Sequence, residues 1–219
     1  MAAAALNEQP PAPRHNRAAP PTTQFAMALS LCVYCGSRFG DDAAFEQAAR
    51  RLGASLGARG GQLVYGGGQI GLMGVVADAA LAAGARVVGV IPQALMLREV
   101  GHRALTELHV VQTMHERKQL MAERADAFVA LPGGIGTLEE LYEVWSWQQL
   151  GYHDKPVALL NVAGYYDALL RFMDHGHRRG FVSDAQHAAL IVDDDVDRLL
   201  DRVAAAAVEA TAPDDYSRI

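Results

Sequence analysis

The chain has 219 residues, 51% of them hydrophobic and 20% charged, which is enough apolar material for one buried core of ordinary size. A net charge of −6 argues against a protein that tracks the nucleic-acid backbone by its overall field, so any phosphate it binds must be held by local geometry. Two cysteines rule out a disulfide framework, and apolar runs no longer than a strand rule out a membrane span, so the chain reads as a soluble cytoplasmic globular protein.

Residues 1–25 are rich in Ala and Pro (Pro10, Pro11, Pro13, Pro20, Pro21) and cannot offset their ordering entropy by burial. They are predicted to be a disordered tail. Arg14 and Arg17 match an organelle leader only loosely. The segment 30–34 (SLCVY) is predicted as a strand and 41–58 as a helix opened by Asp41 and Asp42. A second strand at 62–65 leads through a glycine loop to a helix over 72–83. The third strand, 86–91 (RVVGVI), is stopped by Pro92, and a longer loop spans 93–105. A strand at 108–111 precedes a helix through Glu116, Arg117 and Lys118, and 127–131 (AFVAL) reads as a buried strand. After Pro132, Gly133 and Gly134 comes a helix from about Thr137 to about Leu150. A strand at 156–161, helices near 166–175 and 194–207, a short strand at 189–192 and a second tail at 211–219 complete the pattern.

Continuously apolar strands, each followed by a helix, mean a parallel sheet covered on both faces. The predicted fold is therefore α/β: one doubly wound, Rossmann-like domain over 26–210. Ligands bind such sheets at the carboxyl ends of the strands, which selects the loops 35–40, 66–74, 92–102 and 132–140.

Gly66-Gly67-Gly68-Gln69-Ile70-Gly71 fits the dinucleotide pattern G-x-G-x-x-G, but the next strand lacks the acid that such a site needs for its ribose. A turn that admits a mononucleotide suits it better than a dinucleotide cofactor does. Pro132-Gly133-Gly134-Ile135-Gly136-Thr137 is the sharper feature. Glycines before a helix start can form a phosphate cradle of converging N–H groups, with the Thr137 hydroxyl as a further donor, or simply a tight βα turn. Glu140 likewise has two readings. It completes a Thr137-x-x-Glu140 capping box, or it is a carboxylate one turn into a phosphate-binding helix, within reach of a ribose. Arg117 and Lys118 belong to a solvated charged face or grip an anion, and Glu99 is a loop acid with either fate.

Cys32-x-x-Cys35 lies on a strand and reads as core packing, and His175-Gly176-His177 as a helix end, so neither suggests a metal. Trp145 and Trp147 read as core or subunit interface, with a base-stacking wall as the alternative.

Two runs, Pro132 to Glu140 (P-G-G-x-G-T-x-x-E) and Met114 to Lys118 (M-x-x-R-K), together make the chain resemble the LOG ("lonely guy") proteins, cytokinin riboside 5′-monophosphate phosphoribohydrolases long mislabelled as lysine decarboxylases. Cys35-Gly36-Ser37, Tyr65 to Gly68, Leu95 to Glu99, Ser146 to Gly151 and Lys155 to Val157 extend the likeness over most of the chain between its tails. The resemblance implies a Rossmann-like homodimer that needs no cofactor and hydrolyses the N-glycosidic bond of N6-modified AMP, often AMP as well, releasing free base and ribose 5-phosphate. By position it implies Arg117 and Glu140 as the catalytic pair, with Gly133, Gly134, Gly136 and Thr137 on the 5′-phosphate. It further implies Glu99, Lys118 and Ser146 lining the nucleotide site, and Ser37 and Gly67 closing it. Arg38 and Ile135 depart from the family pattern, where a Ser and an aromatic residue are usual. The alternative is a non-enzymatic carrier or sensor of a phosphorylated ligand, similar to molybdenum-cofactor carrier proteins, which has less need of an Arg–Glu pair. A pyridoxal phosphate decarboxylase is disfavoured, because Lys118 and Lys155 are the only lysines.

Overall fold

The computed structural model describes residues 28–96 and 101–216. The predicted N-terminal tail and Glu99 lie outside them.

Seven parallel strands form one sheet in the order β4-β3-β2-β1-β5-β6-β7. They are β1 Ser30–Tyr34, β2 Gln62–Tyr65, β3 Arg86–Pro92, β4 Glu107–Val111, β5 Ala127–Ala130, β6 Val157–Leu160 and β7 Leu190–Asp193. The helices are α1 Ala43–Ala58, α2 Gly71–Ala82, α3 Met114–Glu123, α4 Ile135–Gln149, α5 Asp167–Arg178, α6 Asp184–Ala189 and α7 Val196–Glu209. Side chains alternate across a strand, yet both faces here are apolar, because helices cover both. Leu31, Val33, Leu63, Tyr65 and Val129 pack under α1, α2 and α7, while Cys32, Tyr34, Val64, Phe128 and Ala130 pack under α3, α4 and Tyr166. The doubly wound α/β expectation is met.

The strand order reverses direction between β1, which pairs with β2 on one side, and β5 on the other. That switch point opens a crevice between the β1–α1 and β5–α4 loops. Gly36 N–H donates to the Pro132 carbonyl at 3.0 Å and Leu72 N–H to the Gly36 carbonyl at 3.0 Å, which fixes the two loops and the start of α2 together.

Besides helix α6, which the sequence reading did not place, three local features differ from the sequence expectation. Helix α4 begins at Ile135 with Gly134 as its N-cap, so Thr137 lies inside the first turn and the Thr137–Glu140 capping box does not form. A 3-10 turn, Val162–Gly164, precedes α5, with Ala163 at φ 50° and Gly164 at φ 70°. Residues 211–216, expected as part of a tail, are packed: Asp154 accepts from the N–H groups of Thr211 and Ala212 at 2.8 Å, and Tyr216 is buried against Trp147 and His153.

His153 beneath this strap is 3% exposed. Its Nε2 donates to the Val144 carbonyl at 3.0 Å, and its Nδ1 accepts from the Lys155 N–H at 3.1 Å. Only the neutral ring can make both bonds. Burial, with the Lys155 ammonium adding to it, holds the His153 pKa down at about 4 against the helpful bond to Val144. Between that value and about 6.5 the unfolded chain binds a proton that the folded chain refuses. Stability is therefore expected to fall as pH drops from 7 to 4, by an amount on the order of a few kcal/mol. Thermal melts over that range check it: His153→Gln should flatten part of the slope, and identical slopes in both proteins would contradict the assignment.

Candidate active site

The crevice at the switch point is a cleft of about 600 Å³. Its walls come from the β1–α1 loop (Cys35 to Gly40), the start of α2 (Leu72, Met73), the β5–α4 turn (Pro132 to Gly136), Thr137 and Glu140 of α4, Arg117 of α3, Phe45 and Tyr165. That volume suits a single nucleotide-sized ligand.

Arg117 is 5% exposed, an uncommon state for a guanidinium. Its Nε donates to the Val90 carbonyl of β3 at 3.2 Å and its Nη2 to the Gly66 carbonyl after β2 at 3.4 Å. Two carbonyls at the carboxyl ends of neighbouring strands thus hold it in place. Thr113 and Glu116 fix the start of α3 by a capping box, which sets the direction in which Arg117 leaves the helix. Gly66 is required for this seat, since a Cβ there would lie 1.9 Å from Arg117 Nη2.

Glu140 points from the second turn of α4 towards the same guanidinium, with Oε1 3.7 Å from Arg117 Nη2 and a side chain only 12% exposed. The N-cap of α4 is Gly134, so Glu140 does not close a capping box with Thr137. It is a buried charge near a buried counter-charge, too far for a direct hydrogen bond, with one side on the cleft.

The glycines of the β5–α4 turn divide by purpose. A Cβ on Gly133 would sit 2.1 Å from Thr137 Oγ1 and 2.9 Å from Gly36 N, so the fold itself demands this glycine. A Cβ on Gly134 or Gly136 would meet nothing within 4 Å. Those two keep open the space before the first N–H groups of α4, where the helix dipole is positive and an anion is favoured.

Of the residues expected in the site, Ser37, Arg117, Gly133, Gly134, Gly136, Thr137 and Glu140 line this one cleft. Three others lie elsewhere. Lys118 donates to Glu139 at 2.6 Å and Glu143 at 2.9 Å, bracing α3 against α4, and does not line the cleft. Gly67, at φ 76°, is packed against Ile91 of β3 and Leu108 of β4. Ser146 lies on the outer face of α4, on a separate groove with Tyr142, Trp145, Met173 and Phe181. Phe45 and Tyr165 were not singled out, because no sequence spacing brings α1 and the β6–α5 turn to the cleft. Cys35 touches the cleft, but burial first, and the nearby Glu140 charge second, push its thiol pKa far up, leaving it inert. Among the described residues no cluster of His, Cys, Asp or Glu is arranged to hold a metal ion, and no helix is long and apolar enough to cross a membrane.

The protein family described as "Possible lysine decarboxylase" matches residues 73–203 of this chain. A probable cytokinin riboside 5′-monophosphate phosphoribohydrolase of Oryza sativa subsp. japonica is 55% identical over 152 residues, covering 69% of this chain and 68% of that protein. A cytokinin riboside 5′-monophosphate phosphoribohydrolase of Arabidopsis thaliana is 53% identical over 153 residues, covering 70% and 72%. Among solved structures, the Moco carrier protein of Chlamydomonas reinhardtii superposes with a TM-score of 0.62 at 20% identity, over 83% of this chain and 98% of that one. At that identity the likeness is one of fold alone.

Proposed function

The chain belongs to the LOG family of cytokinin riboside 5′-monophosphate phosphoribohydrolases, and from that premise we propose how its cleft cleaves the N-glycosidic bond of an N6-modified AMP. The products are the free base and ribose 5-phosphate, and AMP is a further candidate substrate. The observation that carries this assignment is the buried Arg117–Glu140 pair facing the same cleft as the open N-terminus of α4.

The 5′-phosphate binds at the first N–H groups of α4, across the space that Gly134 and Gly136 leave open, with the Thr137 and Ser37 hydroxyls as side-chain donors. Loss of the base leaves positive charge on C1′ and O4′ of the ribose. Glu140, one turn further along α4, stabilises that charge and orients the attacking water, as carboxylates do in other glycoside cleavages. Arg117, 3.7 Å from it, holds the carboxylate in place. Water adds to C1′ and gives up one proton, the C1′–N9 bonding pair leaves with the purine, and the purine takes up one proton in exchange, so that water supplies both the ribose hydroxyl and the hydrogen of the free base. Glu99 lies outside the described residues, and its part in binding remains an assignment by position.

The test is chromatography of AMP and N6-isopentenyl-AMP incubated with purified protein and no added cofactor. Base and ribose 5-phosphate are expected in equal amounts. Binding without base release would favour a carrier or sensor instead.

The same family reading makes the cytoplasmic enzyme a homodimer. The outer groove of α4, α5 and α6 supports it: Phe181, 89% exposed, lines it with Trp145 and Met173. Ser146, on that groove, reaches a nucleotide only through a second copy. Light scattering should give twice the chain mass for the wild type and a shift towards the monomer for Phe181→Glu; a monomeric wild type would reject the assignment.

A further inference from the structure

Two adjacent tyrosines donate to two carbonyls of one loop. Tyr165 Oη donates to the Gly133 carbonyl at 2.5 Å, and Tyr166 Oη to the Leu131 carbonyl at 2.6 Å. Both carbonyls belong to the β5–α4 connection that carries the glycine turn. The tyrosines are brought there by backbone that local preference opposes. Ala163, at φ 50°, is the only residue other than glycine with positive φ among the described residues, and Gly164 follows at φ 70°. A left-handed alanine persists only where surrounding contacts hold it, and such sites cluster where function needs a fixed geometry. Here the contacts are visible. Asn161 Oδ1 accepts from the Tyr166 N–H at 2.7 Å, and its Nδ2 donates to Asp167 at 2.8 Å, closing the turn.

The two tyrosines differ in position. Tyr166 is 1% exposed and belongs to the core, whereas Tyr165 is 43% exposed and lines the cleft, its ring edge-on to Phe45 at 5.5 Å. In a trans peptide the C=O and the following N–H point in opposite directions. Holding the Gly133 carbonyl therefore also sets the direction of the Gly134 N–H, at the mouth of α4. Gly133 and Gly134 lack side chains that would otherwise restrict this peptide plane, so an external donor is what fixes it.

We propose that Tyr165 is a positioning residue for the substrate's 5′-phosphate: its hydroxyl fixes the Gly133–Gly134 peptide so that the α4 N-terminus is preorganised for an anion. The proposal rests on the assignment of that turn to the 5′-phosphate. It goes further in giving a tyrosine outside both signature motifs control over discrimination between nucleotide and nucleoside.

The experiment uses the full chain and Tyr165→Phe, which keeps the ring contacts with Phe45 and Tyr166. Affinity for ribose 5-phosphate and for inorganic phosphate is measured by calorimetry, and kcat and KM for AMP by base release. Tyr165→Phe is expected to weaken both anions and to raise KM about fivefold to tenfold, the scale of one lost hydrogen bond, with kcat changed less than about twofold. Tyr166→Phe is the control: it should lower Tm without the same KM change. Unchanged anion affinity and KM in Tyr165→Phe would overturn the proposal, as would equal losses in kcat with KM constant. Calorimetry does not depend on turnover. If the wild type binds phosphate but cleaves no nucleotide, the hydrolase assignment fails while the clamp is still read; if the wild type binds neither anion, the clamp fails too.

Discussion

Replacing Glu140 by Gln is expected to lower kcat for base release by at least about a hundredfold while leaving the affinity for ribose 5-phosphate within about threefold of wild type. The substitution keeps the size and shape of the side chain and removes only the charge. Because α4 starts at Ile135 and is capped at Gly134, Glu140 contributes no N-terminal cap that the change would delete. The phosphate donors, one turn earlier, are untouched. What disappears is the negative charge facing the sugar, which matters when C1′ becomes positive and much less before. A fall confined to kcat is thus the signature of a group that acts in the transition state. The competing outcome is a protein of near-normal rate and lower Tm. It would mean that Glu140 serves only as the counter-charge of Arg117, 3.7 Å away.

The sheet was legible because most of its strands are short apolar runs followed by a helix; β3 passes instead to β4 with no helix between them among the described residues. That alternation selected the loops at the carboxyl ends of the strands, whereas the switch point between β1 and β5 depends on a strand order that alternation does not fix. Less legible were features set by competition or by distant contacts. Thr137-x-x-Glu140 has the composition of a capping box, yet the chain turns helical two residues earlier, and Thr137 is packed beneath Gly133. Helix α6 has six residues, too few for a hydrophobic period to emerge. Nothing about alanine announces the left-handed turn at Ala163. In the site, Arg117 and Glu140 were found, but their neighbours were not all placed with them. One residue on a helix is a rotation of about 100°, so Lys118 leaves α3 on another side and binds Glu139 and Glu143. Ser146, six residues beyond Glu140, is carried to the outer face of α4 by the same geometry. Tyr165 reaches the cleft only because β6 lies beside β5 in the sheet.

The second large effect is expected from a residue that touches no substrate. Gly66→Ala adds one methyl group, which would fall 1.9 Å from Arg117 Nη2. Gly66 has no left-handed φ, so its backbone accepts alanine. The obstructing atom is the tip of a flexible side chain, so the guanidinium should move before the sheet does. The stability cost is then that of two carbonyls, Gly66 and Val90, losing a charged donor, about 1 to 3 kcal/mol. The activity cost is that of displacing Arg117 from Glu140, and base release should fall by about a hundredfold, as in Arg117→Ala. Two mutations that remove the same arrangement cannot remove it twice. The double variant Gly66→Ala/Arg117→Ala should therefore be no more than about threefold slower than Arg117→Ala alone, whereas independent effects would multiply. Gly67→Ala provides the contrast next door: at φ 76° and against Ile91 and Leu108 it should lower Tm with little change in the rate of the protein that remains folded. Full activity in Gly66→Ala, or simple multiplication in the double variant, would show that catalysis does not depend on where the Arg117 guanidinium sits. The two strand-end carbonyls would then account only for the burial of a charge.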